Sequence, residues 1–229
     1  MDDLMKHFED PEAVARYAEG PPRFVPGFED LHRMVGILLA EQMPTSGRVL
    51  VLGAGGGLEL RYLAENFPDW TFEGVDPSRQ MLQLAVQTLG PFASRVAFTE
   101  GRIEDASSGP FDAAVCLLTL HFMPFEERRA VVKAIGQRLK TEATLVVAHS
   151  SFPQAAGERE QWLNRYAAFA NARGVRFEDA DNARKSVSRN LAILSPEQDQ
   201  QVLEEAGFED VSLFYAAFTW RGWFAKKAE

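Results

Sequence analysis

Residues 48–57, Arg-Val-Leu-Val-Leu-Gly-Ala-Gly-Gly-Gly, decide the fold of this chain. Four apolar residues, Val49 to Leu52, favour a strand and run directly into a turn rich in glycine. The apolar residues after the turn recur at helical spacing as far as Pro68, which predicts a helix over 58–67. A strand, a glycine turn and a helix form the first unit of a doubly wound nucleotide-binding fold.

The spacing of the glycines distinguishes between the known phosphate-binding motifs. Gly53, Gly55 and Gly57 occupy positions 1, 3 and 5 of the turn, whereas a dinucleotide fingerprint needs its third glycine at position 6, where Leu58 stands. No lysine follows the run, so the turn is not a phosphate loop either. Glycine allows positive φ and a close approach by a ligand. An ordinary strand-to-helix turn is the alternative interpretation.

The next predicted strand strengthens the ligand-binding interpretation. It covers 71–76 and ends at Asp76, 19 residues after Gly57. A carboxylate at that distance, on the end of the second strand, is placed to accept hydrogen bonds from both hydroxyls of a ribose. The turn and Asp76 together predict a site for a nucleoside-containing ligand.

Composition limits the class of protein. The chain has 229 residues and a net charge of −9, which argues against binding to nucleic acid or to an anionic membrane. Its single cysteine, Cys116, excludes an intrachain disulfide and a thiolate metal cluster, and the histidines lack the clustered carboxylates of a metal site. No signal core is visible and no apolar run approaches the ~18 residues of a membrane span, which favours a soluble, cytoplasmic protein.

The pattern along the chain predicts an α/β fold. Strands are expected at 48–53, 71–76, 95–99, 112–118, 143–149, 211–218 and 220–225, with helices at 58–67, 78–88, 125–139 and after Ser195. The alternation predicts a Rossmann-like, doubly wound, seven-stranded and mostly parallel sheet with an antiparallel C-terminal strand. Ligands of such sheets bind at the carboxyl ends of the strands.

Two segments lie outside this alternation. The leader, residues 1–46, is predicted to hold a short helix at Pro11–Ala18 and a longer one that ends at Met43. The insertion, about 153–190, is predicted to hold a helix over 158–172 with an aromatic face. Both segments are expected to cover the pocket of the main domain, 47–229. Core packing for the leader, and a surface helix with a solvated basic loop for the insertion, are the alternatives.

The remaining strand ends supply further candidates. Gly101–Asp105 is expected to hold the adenine, with the Ile103 N–H on a ring nitrogen, Glu104 or Asp105 on the exocyclic amine, and Met81 against the ring face. His121 and His149 are candidate general bases. The alternatives are a solvated acidic turn, a core methionine and histidines that cap a helix.

The chain resembles class I S-adenosylmethionine-dependent methyltransferases, which have a G-x-G-x-G turn, and within them the carboxy-S-adenosylmethionine synthase branch. Nearly the whole length takes part in the resemblance, through Val25–Phe28, the helix Met34–Glu41, the glycine turn, Gly74–Asp76, Thr119–Phe122 and Ala206–Phe208. The resemblance implies S-adenosyl-L-methionine as cofactor, a homodimer, and a contact from Phe28. It also implies cofactor contacts at Gly53, Ala54, Gly55, Gly57, Asp76, Pro77, Arg102, Ile103, Leu117 and Arg184.

Four positions depart from the pattern of these relatives. Phe28 replaces a tyrosine, Arg102 an aspartate and Leu117 an asparagine, and Val51 stands where methyltransferases commonly carry an acid before the first glycine. The resemblance therefore implies a methyltransferase whose acceptor, given the acidic charge and the aromatic insertion, is expected to be a small molecule. The alternatives are a synthase-like enzyme that modifies the cofactor, in which Arg184 would meet the added carboxylate, and a cofactor-binding protein without catalysis.

Overall fold

The computed structural model describes Val14 and residues 17–229. Most of the helix expected at Pro11–Ala18 lies outside these residues. The strands are β1 Arg48–Leu52, β2 Thr71–Asp76, β3 Val96–Glu100, β4 Phe111–Leu117, β5 Leu139–Ser150, β6 Phe208–Ala217 and β7 Trp220–Lys227. The α-helices are α1 Pro21–Phe24, α2 Phe28–Ala40, α3 Leu58–Asn66, α4 Arg79–Leu89, α5 Phe125–Gly136, α6 Glu158–Ala172, α7 Phe177–Asn190 and α8 Pro196–Glu205.

All seven strands form one sheet in the order β3-β2-β1-β4-β5-β7-β6. Strands β1 to β5 pair in parallel, whereas β7 is antiparallel to both of its neighbours, β5 and β6. The predicted fold class, including the antiparallel C-terminal strand, is confirmed.

Strand β1 lies at the centre because it is apolar on both faces. Val49 and Val51 belong to the core on one face of the sheet, and Leu50 and Leu52 to the core on the other. This continuous apolar run is typical of a parallel strand covered by helices on both sides. Burial of each such side chain contributes about 1.5–3 kcal/mol.

Differences from the predicted elements concentrate at helix ends and in the insertion. Helix α2 ends at Ala40 rather than Met43, and α5 ends at Gly136. In the polar part of the insertion the chain forms a second helix, α7, in which Asp181 pairs with Arg184 and Lys185 at 2.8 and 2.7 Å. Helix α8 begins as expected, with a capping box between Ser195 and Gln198.

The parallel topology brings the ends of β1, β2, β3 and β4 to one edge of the sheet. The leader approaches this edge of the sheet. The Trp220 indole N–H donates to the Phe24 carbonyl at 2.9 Å, and the Tyr215 hydroxyl donates to the Pro26 carbonyl at 2.6 Å.

Among the described residues, no helix has the length and apolar character that crossing a membrane requires.

Candidate functional site

A cavity of about 910 Å³ opens at this edge of the sheet. Its volume lies near the upper end of the ~300–1,000 Å³ typical of small-molecule sites. The expected site residues that line it are Phe28, Gly53, Gly55, Asp76, Pro77, Met81, Arg102, Ile103, Glu104, Leu117 and His121. The structure thus brings most of the expected contacts into a single continuous wall.

The glycine turn has the conformation that its sequence requires. Gly53, Gly55 and Gly57 have φ of 73°, 48° and 78°, in the left-handed region that favours glycine. A Cβ on Gly53 would come within 2.0 Å of the Thr119 hydroxyl, and one on Gly57 within 2.9 Å of Ala85. Gly57 therefore serves the packing of α3 on α4.

Two residues of the turn that were expected to contact the cofactor lie away from the cavity wall. Gly57 and Ala54 are not among the residues that line the cavity. Ala54 is fully buried in the core beneath the turn, and Gly57 faces helix α4. Their part in the site is to shape the turn that exposes Gly53 and Gly55.

Asp76 is held at the end of β2 by the backbone of the turn. Its two carboxylate oxygens accept hydrogen bonds from the N–H groups of Gly55 and Ser78, each at 2.9 Å. Burial raises the pKa of this carboxyl, and the two hydrogen bonds oppose that rise. Each oxygen retains a lone pair for a hydroxyl of the ligand.

A second carboxyl, Glu59, lies in the first turn of α3 and lines the same cavity. It is only 8% exposed, and burial raises its pKa to about 8. Among the described residues no cation pairs with Glu59 or Asp76. The sequence analysis missed Glu59, although its position four residues before buried Leu63 places it on the buried face of the helix.

On the far side of Asp76, the turn Ile103–Asp105 closes the cavity. The Asp105 carboxylate accepts a hydrogen bond from the Arg102 N–H at 2.8 Å, so Asp105 holds the turn and does not line the cavity. Glu104 lines it and is the acid available there. Met81 also lines the cavity, and its terminal methyl group lies 3.6 Å from the position that a Cβ on Gly55 would take.

His121 lines the cavity as a neutral ring. Its Nδ1 accepts a hydrogen bond from the Ser150 N–H at 3.1 Å, so the remaining proton is on Nε2. Burial keeps the pKa of His121 well below its usual value. This arrangement suits a hydrogen-bond donor better than a general base.

His149, the second candidate base, is buried and is not among the residues that line the cavity. Its Nε2 lies 3.1 Å from an Asp199 carboxylate oxygen, and its ring lies on Trp223. Arg128 pairs with the same carboxylate and donates to the carbonyls of Met123 and Ala192 at 3.0 and 2.7 Å. His149, Arg128 and Asp199 form a buried group that we call the Arg128 network.

Arg184 also lies elsewhere. It pairs with Asp181 on its own helix and is absent from the cavity wall. The cofactor contact that the resemblance implies for Arg184 stays a prediction.

The opposite wall of the cavity is aromatic. Phe24 stacks on Tyr166 of α6 at 5.2 Å between ring centroids, and Phe28 contacts His32 edge-on at 4.5 Å. Burial lowers the pKa of His32 to about 4, so its ring is neutral. Tyr166 belongs to the aromatic face predicted for the helix 158–172 of the insertion. His32 and Trp220 were not singled out as wall residues, since only the fold brings leader, insertion and β7 together.

Fold and site together define a Rossmann-like protein that binds a nucleoside-containing ligand. A family model described as a methyltransferase domain matches residues 50–145. Carboxy-S-adenosyl-L-methionine synthase of Chromohalobacter salexigens is 28% identical over 90% of this chain and 78% of its own length. The synthase of Campylobacter hominis is 24% identical over 98% of this chain and 97% of its own length.

Solved structures share the fold. Magnesium protoporphyrin IX methyltransferase from Synechocystis with bound SAH has a TM-score of 0.70 at 14% identity and full coverage of both chains, 100% each. Human N-acetylserotonin methyltransferase in complex with SAM has a TM-score of 0.65 at 13% identity over 99% of this chain, which spans 59% of that protein. These comparisons support the predicted class, a class I methyltransferase fold, with S-adenosyl-L-methionine as the cofactor.

Proposed function

We propose that the protein transfers a methyl group from S-adenosylmethionine to a small, largely apolar acceptor. The observation that carries this proposal is the continuity of the cavity. Gly53, Gly55 and Asp76 lie on one side of it, and the aromatic wall with Phe24 and Tyr166 lies on the other. One cavity of about 910 Å³ accommodates a nucleoside ligand beside a second molecule.

The residues on the cofactor side of the cavity bind and orient S-adenosylmethionine. Asp76 accepts hydrogen bonds from the ribose hydroxyls, because each of its oxygens keeps a free lone pair. The turn at Ile103, with Glu104 and Met81, contacts the adenine. Bound there, the cofactor supplies an electrophilic methyl group on its sulfonium, so the protein's main task is to align the acceptor's nucleophile.

The residues on the acceptor side exclude water and select the acceptor. Aromatic rings from the leader, from α6 and from β7 form an apolar wall, and the chain carries a net charge of −9. These features favour a neutral or cationic small molecule over an acidic polymer. The leader and the insertion 153–190 act as covers of this half of the cavity. The neutral His121 positions the acceptor through its Nε2–H.

A cofactor-modifying activity is the second candidate, since the curated relatives are named carboxy-S-adenosyl-L-methionine synthases. A carboxylate added to the cofactor needs a cationic partner in the cavity. Among the described wall residues, Arg102 supplies the one guanidinium and no lysine is present. Arg102 lies on the adenine side, so the charge of the cavity favours methyl transfer.

The experiment is an acceptor screen combined with mass spectrometry of ligands that co-purify. Labelled methyl transfer to an apolar small molecule, lost in the Phe24→Ala and Tyr166→Ala variants while cofactor affinity is kept, would support the proposal. Co-purification of a carboxylated cofactor would favour the synthase activity. Cofactor binding with no transfer to any acceptor would favour a binding protein. Failure to bind the cofactor at all would refute methyl transfer.

A further inference from the structure

Glu59 is a buried acid for which the described residues supply no counter-charge. It is 8% exposed, yet it forms no salt bridge with a described residue. An ionised carboxylate buried without a partner is strongly disfavoured. Its place in the cavity wall, two residues after the glycine turn, means that a ligand reaches it without any change in the backbone.

The groups that face Glu59 from the neighbouring elements add no positive charge. Asp76 at the end of β2 raises the pKa of Glu59 further, after burial. Tyr17 from the leader and Cys116 from β4 both have pKa values raised by burial and by Glu59. Strand β1 ends in apolar residues, and Val51 is fully buried. The described surroundings of Glu59 are therefore acidic or neutral.

We propose that Glu59 binds the cationic end of the cofactor and fixes its methionine half in the cavity. This inference rests on the proposed function, because it needs S-adenosylmethionine in the site. That molecule offers two cations, the sulfonium and the α-ammonium. Once Asp76 holds the ribose and Glu104 faces the adenine side, Glu59 and Glu127 are the wall carboxylates left for them. Glu59 is the buried one of the two, and it lies two residues after the glycine turn.

Binding of the cofactor beside Glu59 should be coupled to the release of a proton. In the empty cavity the pKa of Glu59, about 8, keeps the carboxyl protonated at neutral pH. A cation beside it lowers that pKa, so the carboxyl ionises and its proton passes to the buffer. Binding at pH 7 therefore releases about one proton.

The test is calorimetric titration with S-adenosylmethionine at pH 7 in two buffers of different ionisation enthalpy. We expect wild type to release about one proton. Glu59→Gln should abolish most of this release and weaken binding at least tenfold. Glutamine has the size and the neutrality of the protonated acid, so the variant is expected to fold, and a thermal melt checks this. Glu65→Gln, on the exposed side of the same helix, is the matched control and should behave as wild type.

S-adenosylhomocysteine identifies the cation. Loss of affinity for both ligands in Glu59→Gln assigns Glu59 to the α-ammonium, which they share, and loss for S-adenosylmethionine alone assigns it to the sulfonium. Either result supports the proposal. Wild type alone provides a second test, because its affinity should rise from pH 6 to pH 8.

Two failures are distinguishable. Unchanged affinity and unchanged proton release in Glu59→Gln, with wild type binding normally, would overturn the role of Glu59 alone. Absence of cofactor binding by wild type would refute the proposed function together with this inference. A wild-type affinity that stays flat from pH 6 to pH 8 would also count against Glu59.

Discussion

The Arg128 network and the cavity both hold buried ionisable groups, and they differ in whether those groups have partners among the described residues. In the Arg128 network the guanidinium faces Asp199 and two carbonyl oxygens. In the cavity, Glu59 and Asp76 face no described cation. Burial of an ionisable group therefore does not by itself mark a site. A buried ionisable group that the described residues leave without a counter-charge points to a ligand that supplies one.

The Arg128 network has the geometry of a structural cross-link. Arg128 on α5 is 0% exposed and reaches Asp199 on α8 and the carbonyl of Ala192 in the preceding loop. His149 on β5 completes the group through Asp199. Asp199 holds its pKa below the usual range because His149 and Arg128 offset the effect of burial. The network joins elements far apart in the chain, and none of its three residues lines the cavity described above.

The largest effect is expected from breaking this network. Arg128→Met leaves Asp199 buried without its guanidinium, so we expect a loss of about 3–5 kcal/mol in the free energy of unfolding. Urea denaturation measures it, with Arg129→Met on the same helix as the control. Cofactor affinity of the folded fraction should be unchanged. Normal stability with lost affinity would place the network in the binding site instead.

The unpartnered carboxyl should cost stability in the empty protein. The pKa of Glu59 is raised from 4.5 to about 8 on folding, so its stabilising contribution is full below pH 4.5 and is lost as the pH rises towards 8. Relative to wild type, Glu59→Gln should therefore gain on the order of 3 kcal/mol between pH 5 and pH 8. Thermal melts across this range measure the difference. A difference independent of pH would mean that Glu59 is partnered.

His121 should act through the backbone that it supports. His121→Ala leaves the buried Ser150 N–H without its acceptor, so we expect a loss of about 1–3 kcal/mol in stability. His121→Asn offers an oxygen in place of Nδ1 and should recover most of it. With an acceptor in hand, the rate should show no titration near pH 6.5. Such a titration, absent from the variants, would restore His121 as a general base.

The smallest effect is expected at Arg184. Its ion pair with Asp181 is partly exposed, so Arg184→Ala should change stability by no more than about 0.5 kcal/mol. Cofactor affinity, measured by titration, should change less than twofold. A tenfold loss of affinity would instead bring the insertion into the cofactor site and favour the synthase-like activity.

Local patterns made part of this structure predictable from sequence. The apolar run Val49–Leu52, the spacing of the glycines and the carboxylate of Asp76 are all set within a few residues, and the structure keeps them together. The direction of the His149 side chain follows from the same kind of local pattern. Alternation along β5 places it on the face of Leu145 and Val147, away from Val146 and Ala148.

Other features depend on contacts between distant segments. Tyr166 and Trp220 reach the wall only because α6 and β7 fold back over the leader. Arg184 pairs with a neighbour on a helix whose exact position no local pattern reveals. Glu59 is intermediate between these two groups. Its place on the buried face of α3 can be inferred from the sequence, but the lack of a cation beside it among the described residues cannot.

The most direct test of the account is titration of wild type and Asp76→Ala with S-adenosylmethionine and S-adenosylhomocysteine. Asp69→Ala, which replaces an exposed acid shortly before β2, is the control. We expect wild type and the control to bind both ligands, and Asp76→Ala to bind both at least tenfold more weakly, a loss of at least about 1.4 kcal/mol. Equal binding by all three proteins, or no binding by wild type, would contradict the assignment of this cavity as the cofactor site.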